Sequence, residues 1–364
     1  MKRVRFLMLG GFLGAGKTTA IARLARHYMD QGLRVGIVTN DQAFGLVDTQ
    51  SLRAQGFDVG EVTGACFCCK FNDLIGTAKE LSADEQPDVI IAEPVGSCTD
   101  LSATVIEPLR QLYGDQYEVG PLAVLLKPEH GQKILADESG VGFSPKAAYI
   151  FLKQIEEADV VVINKTDKLS AAERDRLVKL VQDRFPGKEV LAVSAKQGHD
   201  FGKLSTAMGR TATRLLTPEV DYDIYAEGEA ELGWLNCTLR LSGKPFDLDG
   251  LLVRYVERLA RACELAGAEP AHLKVLGAAD GATAIANLVS SSAGVELSVA
   301  SGATTSAAEL TVNARVAFDP EALAELVESE AASLAEDEGL HHEIADMQRF
   351  RPGRPVPTHR MQVT

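Results

Sequence analysis

The sequence predicts an α/β protein with a doubly wound, mainly parallel sheet and, after it, a smaller α+β C-terminal domain. Three observations predict it. Short, nearly continuous Val/Ile/Leu runs alternate with helix-like segments up to about residue 216, as expected of strands buried on both faces. The first run leads into Gly11-Phe12-Leu13-Gly14-Ala15-Gly16-Lys17-Thr18, a phosphate-binding P-loop in its required strand-loop-helix setting. Beyond Val220, strand-like runs follow one another with only two helical stretches among them.

In chain order, strands are expected at 4–9, 34–39, 59–63, 89–92, 121–126, 160–163 and 190–193, with helices between them, as at 17–31 and 171–184. Residues 130–145 are polar and contain glycine, which reads as a mobile loop, and Leu216-Thr217-Pro218 reads as a linker. In the second part, 234–241 alternates like a strand and 248–265 has helical spacing. Further strands are expected at 272–276, 284–289, 295–300 and 309–316, in a mostly antiparallel sheet. Asp319 caps a helix at 320–334 with Pro320 in its first turn. The acidic run 325–338 reads as a solvated helix face. The expected organisation is a nucleotide domain at 1–216, an α+β domain at 220–340 and an extended or flexible tail at 341–364. The stretch 349–360 holds four Arg and three Pro, which rules out a regular helix.

Composition excludes several classes. The 364 residues are 46% hydrophobic and 24% charged, with a net charge of -14. No Lys/Arg cluster of the kind a nucleic-acid surface needs precedes the tail. Lys2, Arg3 and Arg5 before Phe6-Leu7-Met8-Leu9 mimic a signal peptide, but the apolar run stops at Gly10-Gly11, so it reads as a buried first strand. No segment approaches the roughly 18 apolar residues of a membrane span. The expected location is the cytoplasm, where cysteines stay reduced and favour metal or redox chemistry.

The P-loop predicts a nucleoside triphosphate held by Gly11, Gly14, Ala15, Gly16, Lys17, Thr18 and Thr19. Glycines let backbone N–H groups wrap the phosphates, and the helix N-terminus adds its dipole. Lys17 is the catalytic cation and Thr18 a Mg²⁺ ligand. Asn164-Lys165-Thr166-Asp167 follows a strand. The Asp167 carboxylate can accept from guanine N1–H and its exocyclic amine together, a pair adenine lacks. Asn164 can bond the other base edge, the Lys165 stem can cover the ring, and Ser194-Ala195-Lys196 can close on the base. Glu93-Pro94-Val95-Gly96 ends another strand. Glu93 can hold Mg²⁺ through water, Gly96 can approach the γ-phosphate, and Asp41 can orient Mg²⁺ or the attacking water.

Cys66-Phe67-Cys68-Cys69 holds three of the six cysteines. Thiolates suit Zn²⁺, Cu(I) or iron, and three of them leave a tetrahedral position open, as a carrier needs. A structural cluster and a Cys66/Cys69 redox pair are the alternatives. Cys98 follows the Glu93 motif and reads as a half-buried small residue or a fourth ligand. Cys237 and Cys263 read as packing residues, and His341-His342 as a surface pair.

Gly10 to Thr19, the Cys66/Cys68/Cys69 cluster, Glu93-x-x-Gly96 and Asn164 to Asp167 together resemble the CobW group of metallochaperone GTPases, relatives of the urease and hydrogenase accessory GTPases. The resemblance covers roughly residues 1–216. It implies a P-loop NTPase fold and slow, metal-responsive GTP hydrolysis that delivers metal to a client metalloprotein or a cofactor pathway. Zn²⁺, Co²⁺ and Fe²⁺ are the candidate cargoes, and a GTP-dependent homodimer is implied. Two departures stand out. Asn40-Asp41-Gln42-Ala43-Phe44-Gly45 replaces an Asn-Glu-Phe-Gly run, and Lys127 stands where an Asp is common. The competing classes are a regulatory or protein-remodelling GTPase with structural cysteines and a small-molecule kinase.

Overall fold

The computed structural model describes residues 3–42, 47–81, 86–136, 144–212, 217–290 and 294–362. The chain forms two compact units, and neither is a single stretch of sequence. One comprises Met1–Gln42, Gly56–Gly228 and Arg354–Thr364, the other Ala43–Gln55 and Glu229–Gly353.

The first unit alternates strands and helices. Its elements are β1 (Val4–Gly11), α1 (Lys17–Met29) and β2 (Val35–Asn40). The next helix, α2 (Val47–Ala54), belongs to the other unit. The first unit resumes with β3 (Asp58–Val62), α3 (Phe71–Glu80), β4 (Val89–Glu93), α4 (Glu107–Tyr113), β5 (Tyr117–Leu126), α5 (Pro128–Leu135) and α6 (Pro145–Glu157). It continues with β6 (Val160–Ile163), α7 (Ala171–Arg184), β7 (Glu189–Ala192), α8 (Phe201–Met208) and α9 (Tyr222–Ala230). The seven strands pair in the order β3-β2-β4-β1-β5-β6-β7, all parallel. The fully buried runs of β1, β4 and β6 are the continuous apolar stretches of the sequence. This order sorts the chemistry. The loops after β2 and β4 lie on one side of the P-loop strand β1, and the loops after β6 and β7 on the other.

Two expectations for this unit change. The loop expected at 130–145 is helical through Leu135, because Pro128 at the first helical turn starts α5. Residues 137–143 of that loop, and 213–216 at the expected linker, lie outside the described residues. Tyr222–Ala230 is a helix rather than the start of the second domain.

The second unit is a six-stranded antiparallel sheet in the order β11-β10-β9-β12-β8-β13. Its strands are β8 (Gly233–Asp247), β9 (Glu269–Ala279), β10 (Ala282–Ser290), β11 (Gly294–Val299), β12 (Thr304–Ala317) and β13 (Leu340–Phe350). Helices α10 (Leu248–Leu265) and α11 (Pro320–Glu338) bury Leu251, Tyr255, Leu259, Leu323, Val327 and Leu334 in one core with these strands. The Asp319 side chain accepts from the backbone N–H groups of Glu321 and Ala322, as expected of the cap. The acidic run is the outer part of α11, which Gly339 ends at φ 60. Strand β13 corrects the expected tail. Residues 340–350 pair with β8 from Leu340↔Gly243 to Phe350↔Trp234. They escape notice in the sequence because an edge strand open to solvent needs no apolar run.

Helix α2 completes this unit. Val47 packs with Leu276 and Ile285. Its N–H donates to Asn313 Oδ1 at 2.7 Å, and Asp48 pairs with Lys274 at 2.6 Å.

At the end of α6, Glu157 is fully buried in the first unit. It accepts from the Ser102 N–H at 2.9 Å and from Thr99 Oγ1 at 3.2 Å. Burial pushes its carboxyl up to about 8. The folded state therefore holds this proton more tightly than the unfolded state. Its contribution to stability is full below the unfolded carboxyl range near 4.5 and is lost as pH rises through about 8. Glu157→Gln is expected to stay flat where the wild type loses on the order of 3 kcal/mol. Urea unfolding at pH 5 and pH 8.5 measures the difference, and parallel losses in both proteins would refute it.

Candidate nucleotide and metal sites

The loop between β1 and α1 is shaped by glycine. Gly14 and Gly16 have φ of 73° and 87°, the left-handed region that other residues avoid. A Cβ on Gly11 would fall 2.2 Å from the Leu125 carbonyl oxygen, and one on Gly16 would fall 2.5 Å from Asn164 Nδ2. The loop thus lies against β5 on one side and the base motif on the other. Lys17 opens α1 and is buried. Thr18 Oγ1 donates to Glu93 Oε1 at 3.1 Å, so these two expected Mg²⁺ residues meet. Hydroxyl and carboxylate oxygens are the donors a hard divalent cation takes, and they fit Mg²⁺. Gly96 lies close to the P-loop, where a Cβ would fall 2.8 Å from Leu13 Cδ2. Asp41 is buried just past β2, and its Oδ1 accepts from the Gln42 N–H at 2.6 Å. Since Thr39 pairs with Glu93, Asp41 follows the strand that neighbours β4.

The base motifs are joined to the P-loop and to one another. Asn164 Nδ2 donates to the Ala15 carbonyl at 2.8 Å, and Asn164 Oδ1 accepts from the Ala195 N–H at 2.9 Å. Both ends of its amide brace the P-loop against the loop after β7, and the amide keeps a second N–H and a second lone pair. Ser194 Oγ donates to Asp167 Oδ1 at 2.6 Å, which leaves that carboxylate further acceptor capacity. Lys165 stands at φ 60°, turning the chain between Asn164 and Asp167. Arg23 of α1 donates to the carbonyls of Ala195 and Lys196 at 2.6 and 2.9 Å.

Lys127 is a residue the motifs do not reveal. It follows β5, is buried, and holds its ammonium 3.6 Å from the position of a Cβ on Gly14. Burial, with the nearby Lys165 charge, brings its pKa down to about 8. A second lysine thus sits beside the phosphate loop.

The three cysteines converge. Their sulfurs lie 2.8 Å (Cys66–Cys68), 3.4 Å (Cys66–Cys69) and 3.8 Å (Cys68–Cys69) apart. Ligands on tetrahedral zinc at about 2.3 Å stand roughly 3.8 Å from one another, so the set fits after the closest pair opens by about 1 Å. They form the one group of three or more potential ligands among the described residues. Cys66 and Cys68 are buried and Cys69 is half-buried. The sulfurs of Cys68, Cys69 and Cys98 around Cys66 hold its thiol well below the ordinary range. The Cys66 sulfur pushes Cys69 up to about 11.

Asn40 holds this loop in place. Its Nδ2 donates to the carbonyls of Val62 and Ala65 at 2.9 and 2.8 Å, and its Oδ1 accepts from the Phe67 N–H at 2.8 Å. The residue before Asp41 therefore clamps the cysteine loop. Cys98, two residues beyond Gly96, reaches Cys66 from the Glu93 side and is fully buried rather than half-buried. Cys237 and Cys263 are core residues of the second unit, and His341-His342 lies on β13.

A parallel sheet with its P-loop after β1, acids after β2 and β4 and base motifs after β6 and β7 defines a P-loop nucleotide-binding protein. A cysteine cluster stands on the loop that Asn40 clamps. Residues 5–192 match the CobW/HypB/UreG nucleotide-binding domain, and the chain belongs to that family. It is 25% identical over 221 residues to the zinc chaperone CobW of Sinorhizobium sp, covering 56% of this chain and 62% of that protein. It is 26% identical over 193 residues to the zinc chaperone YeiR of Escherichia coli K12, covering 50% and 53%. The chain thus spans little more than half the length of these curated relatives. Among solved structures, the Zn(II)-bound YjiA GTPase from E. coli aligns with 92% of this chain and 99% of its own at 17% identity, with a TM-score of 0.39. No described helix is long and apolar enough to cross a membrane.

Proposed function

We propose that this protein is a GTP-hydrolysing metallochaperone that carries zinc, or another transition metal such as Co²⁺ or Fe²⁺, on Cys66, Cys68 and Cys69. It hands the metal to a client metalloprotein or cofactor-pathway enzyme in the cytoplasm, as a GTP-dependent homodimer. The observation that carries the coupling is Asn40. Its side chain holds the cysteine loop at three points while its chain neighbour Asp41 stands at the phosphate end of the sheet. A shift of the Asp41 backbone on GTP binding would be passed to that clamp through the one peptide bond that joins them.

Thr18, Glu93 and Asp41 would hold Mg²⁺, which neutralises phosphate charge when bound. Lys17 adds its cation to the β/γ-phosphates. Gly11, Gly14, Ala15, Gly16 and Thr19 build the cradle around them, and Gly96 leaves room beside it. Asp167 selects guanine. Ser194, Ala195 and Lys196 close the base pocket, and the Lys165 stem covers the ring. In the chaperone names of its relatives, zinc is the cargo.

One observation favours a second reading, a regulatory GTPase with structural cysteines. Cys98 could close a four-sulfur site around the ion. Titrating reduced protein with Zn²⁺, Co²⁺ and Fe²⁺, with and without a non-hydrolysable GTP analogue, separates the two. A carrier is expected to change metal affinity at least ten-fold between nucleotide states, about 1.4 kcal/mol. Equal affinities would refute the coupling.

A further inference from the structure

Helix α3 and the cysteine loop carry a cover that neither the P-loop nor the cysteine motif calls for. After β13 the chain joins the first unit as the segment Arg354–Thr364. There Pro355-Val356-Pro357-Thr358 runs over the metal motif. Proline has no N–H, so Val356 and Thr358 hold the only two backbone donors of these four residues. Both are spent on the cysteine loop. The Val356 N–H donates to Cys69 Sγ at 3.2 Å, and the Thr358 N–H donates to the Cys68 carbonyl at 2.7 Å. Thr358 Oγ1 adds a bond to the Cys69 carbonyl at 2.9 Å. Alternating prolines also pre-set an extended backbone, which lowers the ordering entropy lost on docking.

The far end is fastened hard. Arg360 Nε donates to Asp100 Oδ2 at 2.8 Å, and its Nη2 donates to the Pro218 carbonyl at 3.1 Å. Asp100 is fully buried and also accepts from Tyr222 Oη at 2.7 Å. The Met361 N–H donates to the Ala103 carbonyl at 2.8 Å. Between the two ends, the His359 ring stands edge-on to Phe71, the first residue of α3, with centroids 5.1 Å apart.

We infer that residues 354–361 form a strap that is part of the metal site, with the Val356 amide positioning Cys69 and the Arg360–Asp100 pair holding the strap shut, so that strap release sets the rate of metal exchange. This rests on the metallochaperone reading. A hydrogen bond to a thiolate sulfur steadies the bound ligand, as outer-shell partners of metal sites do. Cys69 is the half-exposed thiol of the three, the natural point for an acceptor to attack. With the strap down, the Val356 backbone lies against that sulfur.

The test uses the full chain and two variants. Val356→Pro removes one N–H and keeps the strap extended. Deletion after Gly353 removes the strap. Each protein is loaded with one equivalent of Zn²⁺, and its transfer to a chromophoric chelator is timed. GTP-analogue affinity reports folding. Transfer is expected to accelerate about ten-fold in Val356→Pro and up to a hundred-fold in the deletion, the range typical of lost outer-shell contacts. The Co²⁺-loaded Val356→Pro protein is expected to show a shifted thiolate-to-metal charge-transfer band. Wild-type rates and an unshifted band in Val356→Pro, with one zinc bound, overturn the strap alone. A wild type that retains no zinc overturns the metallochaperone reading and the strap with it. If the deletion fails to bind nucleotide, Val356→Pro decides.

Discussion

Cys66→Ser is expected to weaken zinc binding by the reduced protein about a hundred-fold or more, since structural zinc sites share roughly 10–16 kcal/mol among four ligands. The effect exceeds that of an ordinary ligand because Cys66 is the sulfur nearest to both of the others. Serine keeps the size of the side chain, so the Asn40 clamp and the turn that Cys69 and Lys70 close on the Cys66 carbonyl stay formed. GTP affinity in the absence of metal should therefore be unchanged. Competition with a zinc-sensitive dye measures the first quantity and a fluorescent guanine nucleotide the second. Wild-type zinc affinity in the variant would remove the carrier reading.

Lys17→Ala is expected to cut GTP hydrolysis by roughly 10²–10³-fold, as loss of a preorganised charge-stabilising donor does in other sites. Lys17 is held in a buried position at the first residue of α1, so no solvent cation can take its place unhindered. Phosphate release under saturating GTP and Mg²⁺ measures the loss. Lys127 makes the result informative in a second way. Its ammonium lies beside Gly14, so a double variant with Lys127→Met reports how much residual activity the second lysine sustains. A rate within three-fold of wild type in Lys17→Ala would remove Lys17 from the chemistry.

Much of the first unit was legible because strands buried on both faces are written as unbroken apolar runs, and because P-loop chemistry sits at fixed offsets from strand ends. What remained hidden depends on partners far away in sequence. That the Asn164 amide also braces the P-loop is seen only once the Ala15 carbonyl and Ala195 N–H are found at its two ends. Strand β8 was expected at 234–241, where the alternation is visible. It continues to Asp247 because β12 pairs with Phe246 and Asp247 through Thr305 and Thr304, while β13 pairs only as far as Gly243, leaving Pro245 on a locally unpaired edge where its missing N–H costs nothing. The strap was read as a tail for a similar reason. Its prolines forbid a helix, and nothing local shows that Val356 and Thr358 have a surface waiting for them.

Helix α2 carries a consequence for the timing of synthesis. Val47 leaves the ribosome more than two hundred residues before Leu276, Ile285 and Asn313, the residues it packs on and bonds to. At about 5–20 residues per second that interval is roughly 10–50 s. Before it ends the strands from β1 to β7 can already assemble, while Val47 still awaits the sheet that will cover it. The nascent chain therefore carries a short helix whose first residue, Val47, is in search of a partner, and a chaperone that holds it would act in that window.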